Sequence, residues 1–166
     1  MDRESYSYLM SWLDGRPGFK KALSIANKTM TGATYVVYPC LLIWLLATGS
    51  DMFWRALLVP AISFVLVSLL RSKIDAQRPY EKFGIPSAVR KDTSGKSFPS
   101  RHVFSMSVIA MTFLACLPNP AAGIALLVLS IVLAAVRVLS GIHFVCDVVC
   151  GFALGVLSGV IGFYLI

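Results

Sequence analysis

The residues that could carry chemistry in this 166-residue chain are two histidines, one aspartate, one serine and a group of arginines. His143 and Asp147 are four residues apart, so on a helix their side chains face each other across one turn. An aspartate that accepts the N–H of an imidazole fixes its tautomer and stabilises positive charge on it. The other ring nitrogen is then free to attack or to take a proton. His102 is the candidate acid, and Gly141 permits a sharp turn before His143.

The arginines indicate the ligand of this site. The candidate phosphate-binding residues are Arg71, Arg78, Ser100, Arg101 and Arg137. Guanidinium groups match phosphate oxygens bidentately, and clustered arginines without carboxylate partners repel one another when no anion lies between them. A helix that begins after Ser100 would add free backbone N–H groups and a favourable dipole. We therefore expect a phosphate site. Positive-inside topology or headgroup binding is the preferred explanation for Lys73, Lys82, Arg90, Lys91 and Lys96.

Composition places these residues in a membrane protein. The chain is 57% hydrophobic and 14% charged, its formal net charge is +7, and its mean hydropathy is +0.77. Soluble domains carry about 25% charged residues, and a domain of this size cannot bury so many apolar side chains. An ordinary soluble domain, a disordered chain and a secreted disulfide scaffold are therefore excluded. We expect an all-α polytopic membrane helix bundle.

Uncharged runs predict about five transmembrane helices, at 33–50, 54–71, 101–117, 121–139 and 144–166. A crossing needs about 20 apolar residues, and Pro118-Asn119-Pro120 divides the longest run into two crossings. We expect a single domain over 1–166, with an N-terminal interfacial segment at 1–32 and an active-site-side loop at 72–100. Residues 4–14 have helical apolar spacing, which predicts a short amphipathic helix. It lies either in the headgroup region or packed on the bundle.

The alternation of the spans places the candidate residues on one membrane face. Consecutive spans run in opposite directions, so the helix ends that carry both histidines and most arginines lie on the side of the N-terminus. Ionisable groups at such positions are functional candidates. The positive-inside rule places this face in the cytoplasm, but charges that bind phosphate do not report topology, so both orientations stay open.

The four cysteines, Cys40, Cys116, Cys146 and Cys150, all lie in apolar segments, where a free thiol behaves as a small hydrophobic group. Cys146 and Cys150 share a helix face near His143 and Asp147, and a metal site is the alternative interpretation. No second cluster of ligands accompanies them in the sequence. We expect no metal and no cofactor.

Three stretches resemble the signature of the type-2 phosphatidic acid phosphatase superfamily. They are Arg71-x6-Arg78-Pro79, Pro99-Ser100-Arg101-His102 and Val136-Arg137-x5-His143-x3-Asp147. The family signature reads Lys-x6-Arg-Pro, Pro-Ser-Gly-His and Ser-Arg-x5-His-x3-Asp, and its order and spacing match from about residue 55 to the C-terminus. The departures are Arg71 for Lys, Arg101 for Gly and Val136 for Ser. Membrane members usually have six spans, and here we expect the short amphipathic N-terminus in the place of the first.

The resemblance implies a small bacterial lipid phosphatase of the cell membrane. His143 would be the nucleophile that forms a phosphohistidine, Asp147 would orient it, and His102 would protonate the leaving group and then activate water. The arginines and Ser100 would bind the phosphoryl oxygens without a metal. The substrate would be a lipid phosphate or diphosphate, such as phosphatidic acid, phosphatidylglycerophosphate or a polyprenyl diphosphate, which stay open as alternatives.

Two other functions are alternatives to a lipid phosphatase. A non-catalytic lipid-phosphate binding or transport protein could share the fold, although binding alone does not need an aspartate-paired histidine. Haloperoxidase chemistry with vanadate is disfavoured by the membrane spans, since those relatives are soluble. The expected partners are the lipid bilayer and the lipid substrate; no nucleic acid is expected, and the oligomeric state stays open.

Overall fold

The computed structural model describes residues 1–89, 91 and 93–166, and in that part of the chain all regular structure is helical. The helices are α1 (Arg3–Asp14), α2 (Pro17–Ala47), α3 (Phe53–Ile74), α4 (Pro79–Phe83), α5 (Arg101–Cys116), α6 (Ala121–Leu139) and α7 (Val145–Val160), followed by a π-helical turn (Ile161–Leu165). The four segments that contain α2, α3, α6 and α7 are long and apolar enough to cross a membrane. The prediction of an all-α membrane bundle is confirmed.

Helix α5 is the short, buried centre of this bundle. It has only 16 residues, fewer than a usual crossing, and it packs against α3, α6 and α7. Its residues from Met106 to Phe113 are all buried. Because other helices surround it, α5 needs no long lipid-facing surface. The segment predicted as the third span, 101–117, is therefore an enclosed helix and is not among the four segments long and apolar enough to cross a membrane.

Glycines on α7 allow this close packing against α5. Gly151, Gly155 and Gly159 recur every four residues and share one face of the helix. A Cβ atom on Gly155 would lie 2.6 Å from the carbonyl oxygen of Phe104, and one on Gly151 would lie 2.6 Å from that of Ser100. Small residues at this spacing let membrane helices approach each other backbone to backbone. They hold the start of α5 against the start of α7.

Helix α2 begins earlier than the sequence predicts. Its first residue is Pro17, a favoured residue at the first helical position because it has no N–H to leave unsatisfied. The helix runs without interruption to Ala47, so Lys20, Lys21 and Lys28 lie on the same helix as the membrane crossing. The predicted segment boundary at residue 32 therefore falls inside a helix.

Helix α1 packs on the bundle. Its start is capped by Asp2, whose carboxylate accepts a hydrogen bond from the backbone N–H of Ser5 at 2.8 Å. Tyr6, Met10 and Leu13 are buried in a cluster with residues of other helices. The Tyr6 hydroxyl donates to the carbonyl oxygen of Gly141 at 3.1 Å. Of the two predicted placements of this helix, the packed one is present.

Candidate active site

A tight turn between α6 and α7 places His143. The backbone of Gly141 has a φ of +72°, which a residue with a side chain rarely adopts. A Cβ atom there would also lie 2.7 Å from the Tyr6 hydroxyl oxygen. The N–H of Ile142 donates to the carbonyl oxygen of Arg137 at 3.2 Å, which closes the end of α6. The turn folds His143 back toward the first turn of α7.

The imidazole of His143 and the carboxylate of Asp147 are adjacent, as their spacing predicts. His143 Nδ1 lies 3.3 Å from Asp147 Oδ2, and both side chains are almost completely buried. The same carboxylate oxygen accepts hydrogen bonds from the Ser97 hydroxyl at 2.5 Å and from the backbone N–H of Phe144 at 3.0 Å. Ser97 also lies 3.2 Å from His143 Nδ1. Three groups thus fix the orientation of the carboxylate.

The second ring nitrogen of His143 faces an arginine. Nε2 lies 3.5 Å from Arg78 Nη1, on the side of the ring opposite Asp147. Burial lowers the pKa of His143 to about 4. The hydrogen bond to Asp147 acts in the opposite direction and raises this pKa, while the charges of Arg78 and Arg137 lower it further. The imidazole is therefore neutral near pH 7. Its unprotonated nitrogen is directed toward the guanidinium groups.

Acidic residues that the sequence analysis did not select shape the loop that carries Ser97. The N–H of Lys96 donates to the Asp75 carboxylate at 3.1 Å, and the N–H of Gly95 donates to Glu81 at 2.9 Å. The N–H of Ser97 donates to the carbonyl oxygen of Ala76 at 2.8 Å. Local polar residues therefore fold this loop back over the end of α3.

Ser100 joins this loop to α7. It is the residue before α5, and its backbone N–H donates to the carbonyl oxygen of Asp147 at 2.8 Å. Its hydroxyl is completely buried and has no hydrogen-bond partner among the described residues. Buried hydroxyls usually have partners. The hydroxyl of Ser100 is therefore available to a ligand atom.

Three of the four predicted arginines are buried near His143. Arg71, Arg78 and Arg137 are 8%, 5% and 1% exposed. Arg71 donates to the carbonyl oxygens of the loop, including that of Ser97 at 3.4 Å and that of Pro99. Arg78 Nε donates to the carbonyl oxygen of Gly95 at 3.1 Å. These two guanidinium groups are held by backbone carbonyls at the edge of the site.

Arg137 is held differently. Its Nη2 lies 3.5 Å from the Thr31 hydroxyl, while Nε and Nη1 are buried without a partner in the part of the chain that the structure describes. A buried, unpaired guanidinium costs several kcal/mol unless an anion compensates it. The two nitrogens lie on different edges of the guanidinium, because Nη1 is on the side of Cδ and the Nε–H points away from it, so each edge has one nitrogen without a partner. Arg137 is therefore a candidate anion ligand.

Arg101 and His102 line a cavity whose described lining does not include the three buried arginines. Arg101 is exposed, and its guanidinium carbon is 5.4 Å from the ring centre of Phe64 on α3. Both Arg101 and His102 line a cavity of about 440 Å³ between α2, α3 and α5. The other walls are mainly apolar and include Pro39, Leu57 and Ala61. The cavity connects the polar end of α5 with the lipid-facing part of the bundle.

Lys91 is a further cation near the buried arginines, although the sequence assigned it to a basic rim, the set of lysines and Arg90 explained by positive-inside topology or headgroup binding. The structure places it partly buried. Burial lowers its pKa to about 8, and the charges of Arg137, Arg78, Arg71 and Arg101 lower it further. Lys91 is thus close enough to the arginines for their charges to act on its ammonium group. Arg90, which was assigned to the same rim, lies outside the described residues.

The alternative of a metal site is not supported by the arrangement of the cysteines. Within the ranges 1–89 and 93–166 and at residue 91, no group of three or more His, Cys, Asp or Glu residues could hold a metal ion. All four cysteines are free thiols. The Cys146 thiol instead lies 3.6 Å from Asp147 Oδ1.

The bundle and its buried cations define a helical membrane protein with a cluster of arginines beside an aspartate-paired histidine. The chain belongs to the PAP2 superfamily, whose family profile matches residues 52–166. The resemblance found in the three sequence stretches is thereby confirmed. No curated protein matches the sequence.

Two solved structures have a similar fold. One is LpxE from Aquifex aeolicus, with a TM-score of 0.73 and 22% sequence identity, covering 96% of this chain and 92% of that chain. The other is the first transmembrane PAP2 type phosphatidylglycerolphosphate phosphatase from Bacillus subtilis. Its TM-score is 0.62 and its identity 24%, covering 95% of this chain and 90% of that chain. The fold therefore extends beyond the matched residues to nearly the whole chain.

Proposed function

We propose that the protein is a membrane phosphatase that hydrolyses a lipid phosphate or diphosphate through a phosphohistidine intermediate. The observation that carries this proposal is the position of His143 between two kinds of partner. Nδ1 faces Asp147 at 3.3 Å and Nε2 faces Arg78 at 3.5 Å. A neutral imidazole held in this way presents a lone pair to an anion pocket. Membership of the PAP2 superfamily supports the same activity.

In the first step, His143 Nε2 attacks the phosphorus atom of the substrate. A P–N bond forms, the P–O bond to the lipid breaks, and the leaving oxygen takes a proton from His102. Asp147 accepts the Nδ1–H and stabilises the positive charge that develops on the ring. Arg78, Arg137 and the Ser100 hydroxyl stabilise the charge on the phosphoryl oxygens.

In the second step, His102 takes a proton from water, and the resulting oxygen nucleophile attacks the phosphohistidine. The P–N bond breaks, inorganic phosphate leaves, and His143 returns to its neutral form. Arg71 is placed to hold the loop that carries Ser97 and Ser100 while also adding positive charge. Since the cations of the protein neutralise the phosphate, the reaction requires no divalent ion.

The cavity beside His102 supports an amphiphilic substrate. Its volume of about 440 Å³ and its apolar walls suit part of a hydrocarbon chain, while its polar end reaches the site. A lipid would keep its tail among the helices while its phosphate reaches the arginines. One of the similar structures is named as a phosphatidylglycerolphosphate phosphatase, which supports the same substrate class. The three lipid classes that the resemblance implies are the substrates to test.

The test is phosphate release by purified protein in detergent micelles with EDTA present. The panel contains phosphatidic acid, phosphatidylglycerophosphate and polyprenyl diphosphate. We expect release from at least one of these lipids, inhibition by vanadate, and loss of release in His143→Ala and Asp147→Asn, but not in the exposed-loop control Ser94→Ala. Full activity in His143→Ala, or strict dependence on a divalent ion, would overturn the mechanism. Lipid binding without release would favour the binding or transport alternative.

We also propose a multi-pass arrangement in the cell membrane with the site on the face of the N-terminus. The packing of α1 against the turn at Gly141 supports it. Single cysteines at the exposed residues Ser94 and Asn119, in a cysteine-free background, test this arrangement. A membrane-impermeant thiol reagent should label only one of them in intact cells. Labelling of both from outside would contradict the arrangement, and the labelled position identifies the side that the site faces.

A further inference from the structure

One cation of the signature stretches is placed differently from the others. Arg71, Arg78 and Arg137 are at most 8% exposed, whereas Arg101 is exposed at the first position of α5. Its guanidinium group is 5.4 Å from the ring centre of Phe64, a distance at which a cation and an aromatic face attract each other. Arg101 is thus held toward α3 and the cavity.

The cavity shows which part of a substrate Arg101 would meet. Among the described residues that line it, Arg101 is the one with a permanent charge. His102, the next residue along the chain, lines the same cavity. In the proposed reaction His102 protonates the leaving oxygen, so the leaving group lies at this end of the cavity. Arg101 is at the same end.

We propose that Arg101 is a second anion-recognition point, separate from the phosphoryl pocket, that selects lipids whose leaving group is itself negatively charged. The chemical class is a lipid diphosphate, in which the outer phosphoryl group is transferred and the inner phosphate stays on the lipid. This inference rests on the proposed function and specifies its substrate class.

The chemistry of the leaving group explains the selection. Cleavage of a lipid monophosphate releases a neutral alcohol, which gains little from a neighbouring guanidinium. Cleavage of a diphosphate releases a lipid monophosphate, whose oxygens match the guanidinium fork and whose charge increases as the P–O bond breaks. The ring of Phe64 keeps the guanidinium at the cavity mouth without consuming its hydrogen-bond donors. Arg101 therefore favours the diphosphate in the transition state.

The experiment compares two substrates that share one tail, farnesyl diphosphate and farnesyl monophosphate. The measured quantity is the ratio of their kcat/KM values in detergent. We expect Arg101→Gln to lower this ratio about tenfold, the size of one charge-assisted contact, and Arg101→Lys to recover part of it. Arg101→Gly, which restores the glycine of the family signature, should lower it in the same direction.

Two more variants serve as a second test and as a control: Phe64→Leu and Lys21→Gln. Phe64→Leu keeps the charge and the apolar wall, and should lower the ratio by a smaller factor, which keeps the proposal testable where an Arg101 variant fails to fold. Lys21→Gln removes an exposed charge from α2 and should leave the ratio as in the wild type. A ratio within twofold of wild type in Arg101→Gln, or an equal fall in Lys21→Gln, would overturn the selection by Arg101. Absence of phosphate release from both farnesyl substrates by a wild-type protein that hydrolyses phosphatidic acid or phosphatidylglycerophosphate would overturn this inference alone, whereas absence of release from every lipid tested would overturn the proposed function, and this inference with it.

Discussion

The hydroxyl oxygen of Ser97 lies 2.5 Å from Oδ2 of Asp147, although the two residues are 50 positions apart in the chain. This hydrogen bond connects the loop before α5 to the first turn of α7. The same oxygen of Asp147 faces His143 Nδ1, so the position of the loop affects the orientation of the imidazole. In the proposed reaction Ser97 is a positioning residue, because its contacts are to Asp147 and His143, through which it would act on the phosphate.

Ser97→Ala should lower kcat roughly tenfold while KM changes much less, since a hydrogen bond to a charged group contributes about 1.5–3 kcal/mol. The measurement is steady-state phosphate release from a lipid phosphate. Ser94→Ala, in the same loop but exposed, is the matched control and should behave as the wild type. Ser97→Thr keeps the hydroxyl and should recover part of the activity. An increase in KM alone would show that Ser97 contacts the substrate instead.

Arg137→Met should abolish phosphate release and at the same time stabilise the empty protein. The buried guanidinium has two nitrogens without partners among the described residues, and replacement of such a charge by an apolar side chain stabilises proteins by about 1–4 kcal/mol. The melting temperature in detergent should therefore rise by several degrees. Vanadate should stabilise the wild type but not this variant, because a ligand stabilises only a state that binds it.

The exposed Arg3 offers a control for this measurement. Arg3→Met removes one positive charge without a buried site and should change neither the melting temperature nor the effect of vanadate. A lower melting temperature in Arg137→Met would show that the guanidinium stabilises the empty protein, and would count against its role as an uncompensated anion ligand.

The affinity for phosphate should fall as the pH rises through about 8. Burial and the neighbouring arginines lower the pKa of Lys91 to about 8, so its ammonium group is charged below this pH and neutral above it. The charged form attracts the anion, and the neutral form does not. The inhibition constant of inorganic phosphate, measured from pH 7 to 9.5, should rise about fivefold, as for the loss of about 1 kcal/mol.

In Lys91→Met, inorganic phosphate should inhibit less strongly at pH 7, and the inhibition constant should depend less on pH between 7 and 9.5. Lys82→Met removes an exposed charge on α4, beside the ring of Phe144, and serves as the control, with the pH dependence of the wild type. An unchanged rise of the inhibition constant in Lys91→Met would assign the pH dependence to another group.

Gly155→Ala should destabilise the bundle by about 1–3 kcal/mol, the usual cost of overpacking. Its new methyl group would lie 2.6 Å from the Phe104 carbonyl oxygen and 3.0 Å from the Val108 backbone nitrogen, so α5 and α7 would have to separate. Gly32→Ala on α2 meets no atom within 4 Å and should be neutral or slightly stabilising. Thermal unfolding in detergent compares the two, and equal melting temperatures would contradict the close packing of the helices.

Much of the fold could be predicted from the sequence, because apolar length and helical spacing are local properties. The pairing of His143 with Asp147 follows from a four-residue separation, and the turn at Gly141 from the need for a positive φ. The glycines on α7 also recur every four residues, a spacing visible in the sequence, but no close packing of helices was predicted from it. The early start of α2 was missed because its first two turns are polar and basic.

The remaining features depend on contacts between distant parts of the chain. Ser97 reaches Asp147 because the loop is held by Asp75 and Glu81, a set of hydrogen bonds that no periodicity indicates. Lys91 was assigned to the rim because its burial depends on how this loop folds over the arginines. The direction of the Arg101 side chain depends on the neighbouring Phe64 of another helix.

The part of α2 below the site is shorter than the hydrocarbon layer of a bilayer is thick, and this difference bears on the depth at which hydrolysis would take place. Arg137 contacts Thr31, and α2 rises roughly 24 Å from Thr31 to its end at Ala47. The hydrocarbon layer of a bilayer is about 30 Å thick. With α2 perpendicular to the bilayer and Ala47 at the opposite edge of this layer, we expect the buried arginines to lie several ångströms beneath the surrounding headgroups, at the level of the first acyl carbons. A substrate must sink below its neighbours before it reacts, or the bilayer must thin around the protein, and the released phosphate must travel outward to reach water.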